Sequence, residues 1–243
     1  MAFNVRWGIM GIIPIPSVLS TYQITNNCNS QLLAGSLNVC LQLQLQKWER
    51  LLAQADHQLL VLVFTKDLLI DPRKRGTDDV THTITAVASS TSKEKAATFI
   101  DNLGLPAECV AYGSYQELVA DPNVDIVYIA TPHSHHFENV MLALHAGKHV
   151  LCEKAFTVNA AQAKILCETA QIQNLFLMEA VWTRYLPVSV EVRHRIQQGE
   201  IGEVLRVIAD CSFGEDIENK WGVKHRMVNK ELAGGALLDR EYR

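Results

Sequence analysis

The run VDIVYIATP (124–132) is almost wholly apolar, as a parallel strand covered on both faces must be. HTITAVASS (82–90) is a β-branched run of the same buried character, and HVLCEK (149–154) and LFLMEAVW (175–182) predict two further strands. Between them the period changes to that of a helix. FTKDLLIDP (64–72) reads as the end of a helix stopped by Pro72. SKEKAATFIDNLGL (92–105) has a Ser cap and Gly104 just past its end, and FENVMLALHAGK (137–148) and NAAQAKILCETAQIQN (159–174) complete the series. VSVEVRHRIQQGEI (188–201) then predicts one more helix, and GEVLRVIADCSF (202–213) one more strand.

Strand and helix in regular alternation specify right-handed crossovers and a doubly wound parallel sheet, an α/β fold. Ligands of such sheets bind at the carboxyl ends of the strands. That rule selects Ser89 to Ser92, Thr131 to His136, Glu153 and Lys154, and Glu179 to Arg184, which are also where the sequence turns polar.

One stretch breaks the alternation. RWGIMGIIPIPSV (6–18) opens like the first strand and glycine turn of a dinucleotide-binding domain, with Gly8 and Gly11 as cofactor-binding candidates. Ile12, Ile13 and Pro14 then stand where a second close-approach glycine belongs, so pyrophosphate binding is expected to be weakened. A strand-to-helix link is usually ~2 to 6 residues, yet the next clear helix signal begins only at Phe64. Residues 12–63, rich in Gln, Leu, Ser and Asn, are therefore expected to be foreign to the fold. The other reading is a structured insert, with LQLQLQ (41–46) as an alternating strand and an amphipathic helix behind it.

Composition narrows the partners. The chain has 243 residues, 48% hydrophobic and 20% charged, with 22 basic and 26 acidic residues and no block of like charge. Nucleic acid and anionic membrane are thus unlikely partners, and small neutral or anionic ligands remain open. The longest apolar stretch, LLVLVF (59–64), is far below the roughly 18 residues of a membrane span. The six cysteines show no CxxC and no regular spacing, and no apolar targeting core opens the chain, so a cytoplasmic protein with reduced thiols is expected.

The second strand bears on cofactor choice. It ends in Ser89, Ser90, Thr91 and Ser92 with Lys93 behind, small polar groups and a cation that suit a 2′-phosphate rather than bare ribose hydroxyls. NADP is favoured over NAD, although the same residues also serve a capped helix start. His133, His135 and His136 form an HxHH cluster, but no carboxylate or cysteine completes a ligand set at a typical spacing, so no metal is expected.

Residues 124–163, VDIVYIATPHSHHFENVMLALHAGKHVLCEKAFTVNAAQA, resemble the Gfo/Idh/MocA oxidoreductase family in its TPxxxH and GKHVLCEKP motifs, with Ala155 in place of the proline. FTKDLLIDPR, GSYQELVADPNVDIVYIATPHSHH, FLMEAVWTRYLP and GGALLD are most similar to the branch of dimeric dihydrodiol dehydrogenases and fungal NADP-dependent xylose dehydrogenases. The resemblance covers residues 3–11 and 64–239. It implies a Rossmann domain (1–181) followed by a truncated α+β domain (182–243) that begins an open-faced sheet.

The implied activity is NADP-dependent oxidation of a sugar or cyclic diol by hydride transfer, D-xylose to its lactone or a trans-dihydrodiol to a catechol. Inositol or another sugar is an alternative substrate. Lys154 would assist deprotonation of the reacting hydroxyl, and Asp239 matches the family's active-site aspartate. Thr131, Pro132, His133, His136, Glu153 and Lys154 would lie at the cofactor, with Trp182 and Arg184 on the substrate side; Trp182 also suits a packed domain junction. The family continues past GGALLD to a catalytic tyrosine, and this chain has Arg243 at that position and Tyr242 one place early. The family forms homodimers. With the altered glycine loop and the unmatched tyrosine, little or no activity is expected of this chain, and a non-catalytic binding or dimerisation module is the reading from a different class.

Overall fold

Six short strands form one sheet in which every neighbour runs parallel. They are β1 (Phe3–Met10), β2 (Val80–Ala88), β3 (Val110–Tyr112), β4 (Ile126–Ile129), β5 (His149–Cys152) and β6 (Leu177–Glu179). The computed structural model describes residues 3–11, 57–71, 80–209, 222, 223, 225, 227–235 and 238. Helices cross between strands: α1 (His57–Leu68), α2 (Lys93–Leu103), α3 (Tyr115–Ala120), α4 (His133–His145) and α5 (Ala160–Ile172), with α6 (Pro187–Gln197) after the sheet. The spatial order β3-β2-β1-β4-β5-β6 is that of a Rossmann-type sheet. The order reverses between β1 and β4, and the crevice lies at their carboxyl ends.

Strand alternation divides the core into two layers. Met10, Val127, Ile129, Val150 and Cys152 face α3, α4 and α5, where Leu118, Val140, Leu144 and Leu166 cover them. Trp7, Ile9, Ile126, Tyr128 and Ala130 face the other way, onto Val61 and Phe64 of α1 and Phe99 of α2. Both faces of β4 are buried, which is why its sequence shows no polar alternation.

Local signals set most helix ends. Ser92 caps α2 by accepting from the Lys95 N–H, and Gly104 closes it in the left-handed conformation. Ser114 and Glu117 form a capping box on α3, and Asn159 caps α5.

Three expectations are corrected. First, α1 begins at His57, within the stretch expected to be foreign, and Val61 of that stretch is buried in the core. The run LLVLVF (59–64) is apolar at every position, so the start of the helix carries no amphipathic signal. The rest of the 12–63 stretch lies outside the described residues. Second, α4 begins at His133 rather than Phe137, since Pro132 supplies a suitable entry and the polar histidines form the first turn. Third, residues 202–209 form no strand; Leu205, Val207 and Ile208 are exposed there, because among the described residues no partner strand lies beside this β-prone run. The described part of the second region is therefore a 3-10 turn (Trp182–Tyr185), α6, a second 3-10 turn (Lys230–Leu232) and irregular chain.

Gly11 has φ +97°, and a Cβ there would stand 2.2 Å from the Ala130 carbonyl oxygen and 2.6 Å from its carbon. Gly8 is different: it is buried inside β1, where Leu118 and Val124 fill the space of the missing side chain. Gly11→Ala is expected to cost ~3 kcal/mol or more, since backbone must move. Gly104→Ala, at φ +57° with nothing near its Cβ, should cost only about 1 to 2 kcal/mol. Urea denaturation of the two variants checks the difference.

Candidate active site and cofactor crevice

The strand ends are linked in steps across the sheet. The Ala130 N–H donates to Met10 O, the Glu153 N–H to Ile129 O, and the Ala180 N–H to Cys152 O. Each strand thus carries the polar residues that follow it to the same edge, so segments distant in sequence meet beside Gly11.

At the end of β2, Ser89 is buried and its Oγ lies 3.1 Å from Thr91 Oγ1, while the Thr91 N–H donates to Ser89 Oγ. The Lys95 ammonium donates to Thr91 Oγ1 at 2.8 Å. Ser90 is exposed beside them. The cation on this cluster is Lys95, in the first turn of α2, rather than the Lys93 at the helix start; the first turn brings the fourth residue on, not the second, over Thr91. Tyr115 is a second residue that reading missed. Its hydroxyl meets Ser90 and the Gly11 backbone, while burial raises its pKa above the ordinary phenol value. Its place as first residue of a capped helix beside the β2 end was the signal available.

At the end of β4, Thr131 is buried and its hydroxyl accepts from Asn139 Nδ2. Pro132 precedes α4. His133 is buried with Nδ1 3.1 Å from Ala233 O, which brings the 230–235 segment onto the first turn of α4. His136 is wholly buried: Nδ1 lies 2.7 Å from Ala155 O and Nε2 2.8 Å from Thr131 O. It ties the chain after β4 to the chain after β5. Burial drives its pKa down to about 4, although both carbonyls favour the protonated ring.

At the end of β5, Glu153 and Lys154 are both buried. Glu153 Oε1 accepts from Tyr128 Oη at 2.5 Å, and Oε2 accepts from the Lys154 N–H at 3.2 Å. Its carboxylate is turned into the core beneath the crevice. The Lys154–Ala155 peptide bond is cis, and the Phe156 N–H donates to Glu179 Oε1 at 2.7 Å. Glu179, at the end of β6, is raised in pKa chiefly by burial, with the charge of Lys154 acting the other way. Trp182 and Arg184 follow in an exposed 3-10 turn (Trp182–Tyr185), with the Arg184 carbonyl accepting from Arg193. Asp239 and the loop residues Ile12, Ile13 and Pro14 lie outside the described residues.

A 321456 parallel sheet with a glycine packed against the neighbouring strand at its switch point is the architecture of a dinucleotide-binding, Rossmann-type domain. Residues 69–181 match the Gfo/Idh/MocA oxidoreductase family, NAD-binding Rossmann fold, and are a domain of that family.

The NADP-dependent D-xylose 1-dehydrogenase of Hypocrea jecorina is 61% identical over 180 residues, 72% of this chain and 46% of that protein. The human trans-1,2-dihydrobenzene-1,2-diol dehydrogenase is 44% identical over 158 residues, 65% of this chain and 44% of that protein. The chain spans about half the length of the curated relatives it matches. Among solved structures, a mutant of KijD10, a 3-ketoreductase from Actinomadura kijaniata in complex with TDP-benzene and NADP, shares the fold. Its TM-score is 0.52 at 22% identity, covering 82% of this chain and 46% of that one.

The His136 tie has a pH signature. Its folded-state pKa of about 4 lies below the ordinary 6.5, so between these values the unfolded chain binds more protons. Stability should fall as pH drops from about 6.5 to about 4, by up to about 3 kcal/mol from this residue. Denaturant titrations at the two ends of that window should show a smaller loss in His136→Gln than in the unaltered chain.

Proposed function

We propose that this chain carries the cofactor-binding and proton-accepting half of an NADP-dependent dehydrogenase acting on a hydroxyl of a sugar or cyclic diol. The observation that carries this reading is Lys154, buried at the end of β5 beside the β1–β4 crevice and held there on both sides, by Glu153 and by the Phe156–Glu179 bond. In that place an amine hydrogen-bonds the reacting hydroxyl and takes its proton. The nicotinamide, when bound, supplies the hydride acceptor. Ser89, Ser90, Thr91 and Lys95 offer hydroxyls and a cation to a 2′-phosphate, which supports NADP over NAD.

Thr131, Pro132 and His133 line the same edge, Trp182 and Arg184 stand on the substrate side, and Asp239 completes the set by its match to the family. D-xylose and trans-dihydrodiols are the substrates to try first, since two relatives are named for them. A cytoplasmic setting is supported by the free thiols of Cys109, Cys152 and Cys167, and no helix among the described residues is long and apolar enough to cross a membrane. Exposed Val188, Val190, Val192 and Ile196 on α6 support an oligomer of the kind the family forms.

Ile12, Ile13 and Pro14 favour a second reading, a non-catalytic binding or dimerisation module, because bulky residues and a proline after Gly11 hinder backbone approach to a pyrophosphate. Fluorescence titration of the chain with NADPH and NADH decides between the two. The first reading expects tighter NADPH binding, with Lys95→Ala losing about tenfold, the worth of one charge-assisted contact. It also expects Lys154→Met to keep NADPH binding while losing ~100-fold or more of the D-xylose turnover. Cooperative melting with no NADPH binding would establish the second.

A further inference from the structure

Tyr128 lies in the core layer under α1 and donates to Glu153, the residue that precedes Lys154. In the β4–β5 register Tyr128 pairs with Leu151, so Glu153, two residues on, is its diagonal neighbour on the same face. That face is the apolar layer under α1. Tyr128 is 1% exposed and its ring stacks on Phe64 at 3.9 Å between centroids, and Phe64 in turn packs edge-on against Trp7. A carboxylate in such a layer is costly unless each oxygen has a donor. Glu153 has Tyr128 Oη on one oxygen and the Lys154 N–H on the other. A phenol that close to a carboxylate is a charge-assisted donor, and burial keeps it protonated, its pKa lying well above the usual value.

We propose that Tyr128 is a positioning residue for Lys154 that acts through Glu153: its hydroxyl keeps Glu153 an anion inside the core, and that anion orients the Lys154 peptide and balances its ammonium. This rests on the reading of Lys154 as the proton-accepting residue. Among the described residues, charged and titratable groups face the lysine and its neighbours from several elements. Glu153 precedes it, Glu179 faces it from β6, and His136 of α4 reaches Ala155 O with His133 behind; Cys152 and Tyr128 flank Glu153. Loss of the phenol hydroxyl removes the hydrogen bond that Tyr128 donates to Glu153 Oε1. The carboxylate then gains a proton more readily, and the ammonium of Lys154 loses a counter-charge.

The test needs neither cofactor nor turnover. In the full chain labelled with lysine ¹³Cε, the Lys154 resonance, identified by its absence in Lys154→Arg, is followed by NMR through its titration. Tyr128→Phe is expected to lower the Lys154 midpoint by about one pH unit, the size of losing a close opposite charge. Glu153→Gln should lower it by a similar amount, and the double variant should add little, as members of one network do. Ile126→Val, which trims the same layer without touching Glu153, should leave it in place.

Unchanged midpoints in folded Tyr128→Phe, or additive shifts in the double variant, would overturn the proposal. Should Tyr128→Phe not fold, Glu153→Gln decides alone: an unshifted midpoint overturns the link between Glu153 and Lys154. Failure of the dehydrogenase reading shows itself separately, as absent NADPH binding with the titration still coupled.

Discussion

β1 and β4 end in contact only because residue 11 is a glycine. With 2.2 Å between the Ala130 oxygen and any Cβ at residue 11, a side chain would wedge the two central strands apart at the edge where their polar successors gather. The steps that follow depend on that closeness. Met10 O receives the Ala130 N–H, Ile129 O the Glu153 N–H, and Cys152 O the Ala180 N–H. Each bond hands the alignment on by one strand, so Ile129, Cys152 and Glu179 stand at one level, and Thr131 and Lys154 follow two residues beyond it. A packing constraint at a single glycine thereby becomes the geometry of a site.

The two layers of the core contribute differently to Lys154. On the α4 side the tie is backbone to backbone through His136, whose ring spans Thr131 O and Ala155 O. On the α1 side it is electrostatic, through the Tyr128–Glu153 pair. Buried polar groups in otherwise apolar layers are expensive, and both of these are bonded to the residues on either side of the lysine, Glu153 and Ala155.

Most of the sheet was legible because its strands are covered on both faces and its helices carry caps. Ser92, Gly104 and the run VDIVYIATP each state their structure locally. β3 and α3, at three and six residues, are too short to leave a period, and they are built by pairing with β2 and by the capping box. The reach of the strand through residues 202–209 misled because β propensity means a half-buried pleat, and among the described residues no neighbour provides one.

At the site, sequence located the segments but not the directions. His136 reads as a residue facing a pocket and is a buried tie; Glu153 reads as crevice-facing and points down. Lys95, not Lys93, sits over Thr91. Those outcomes follow from side-chain direction on helix and strand, which spacing alone does not resolve.

The helix α1 bears on the placement of Lys154. Val61 and Phe64 cover the Tyr128 face, and Phe64 stacks directly on the tyrosine that serves Glu153. A chain that lost this helix would leave that layer open to water and the Glu153 carboxylate solvated. Lysine placement therefore depends on the register of β4 with β5 and on the helix that packs over the Tyr128 face.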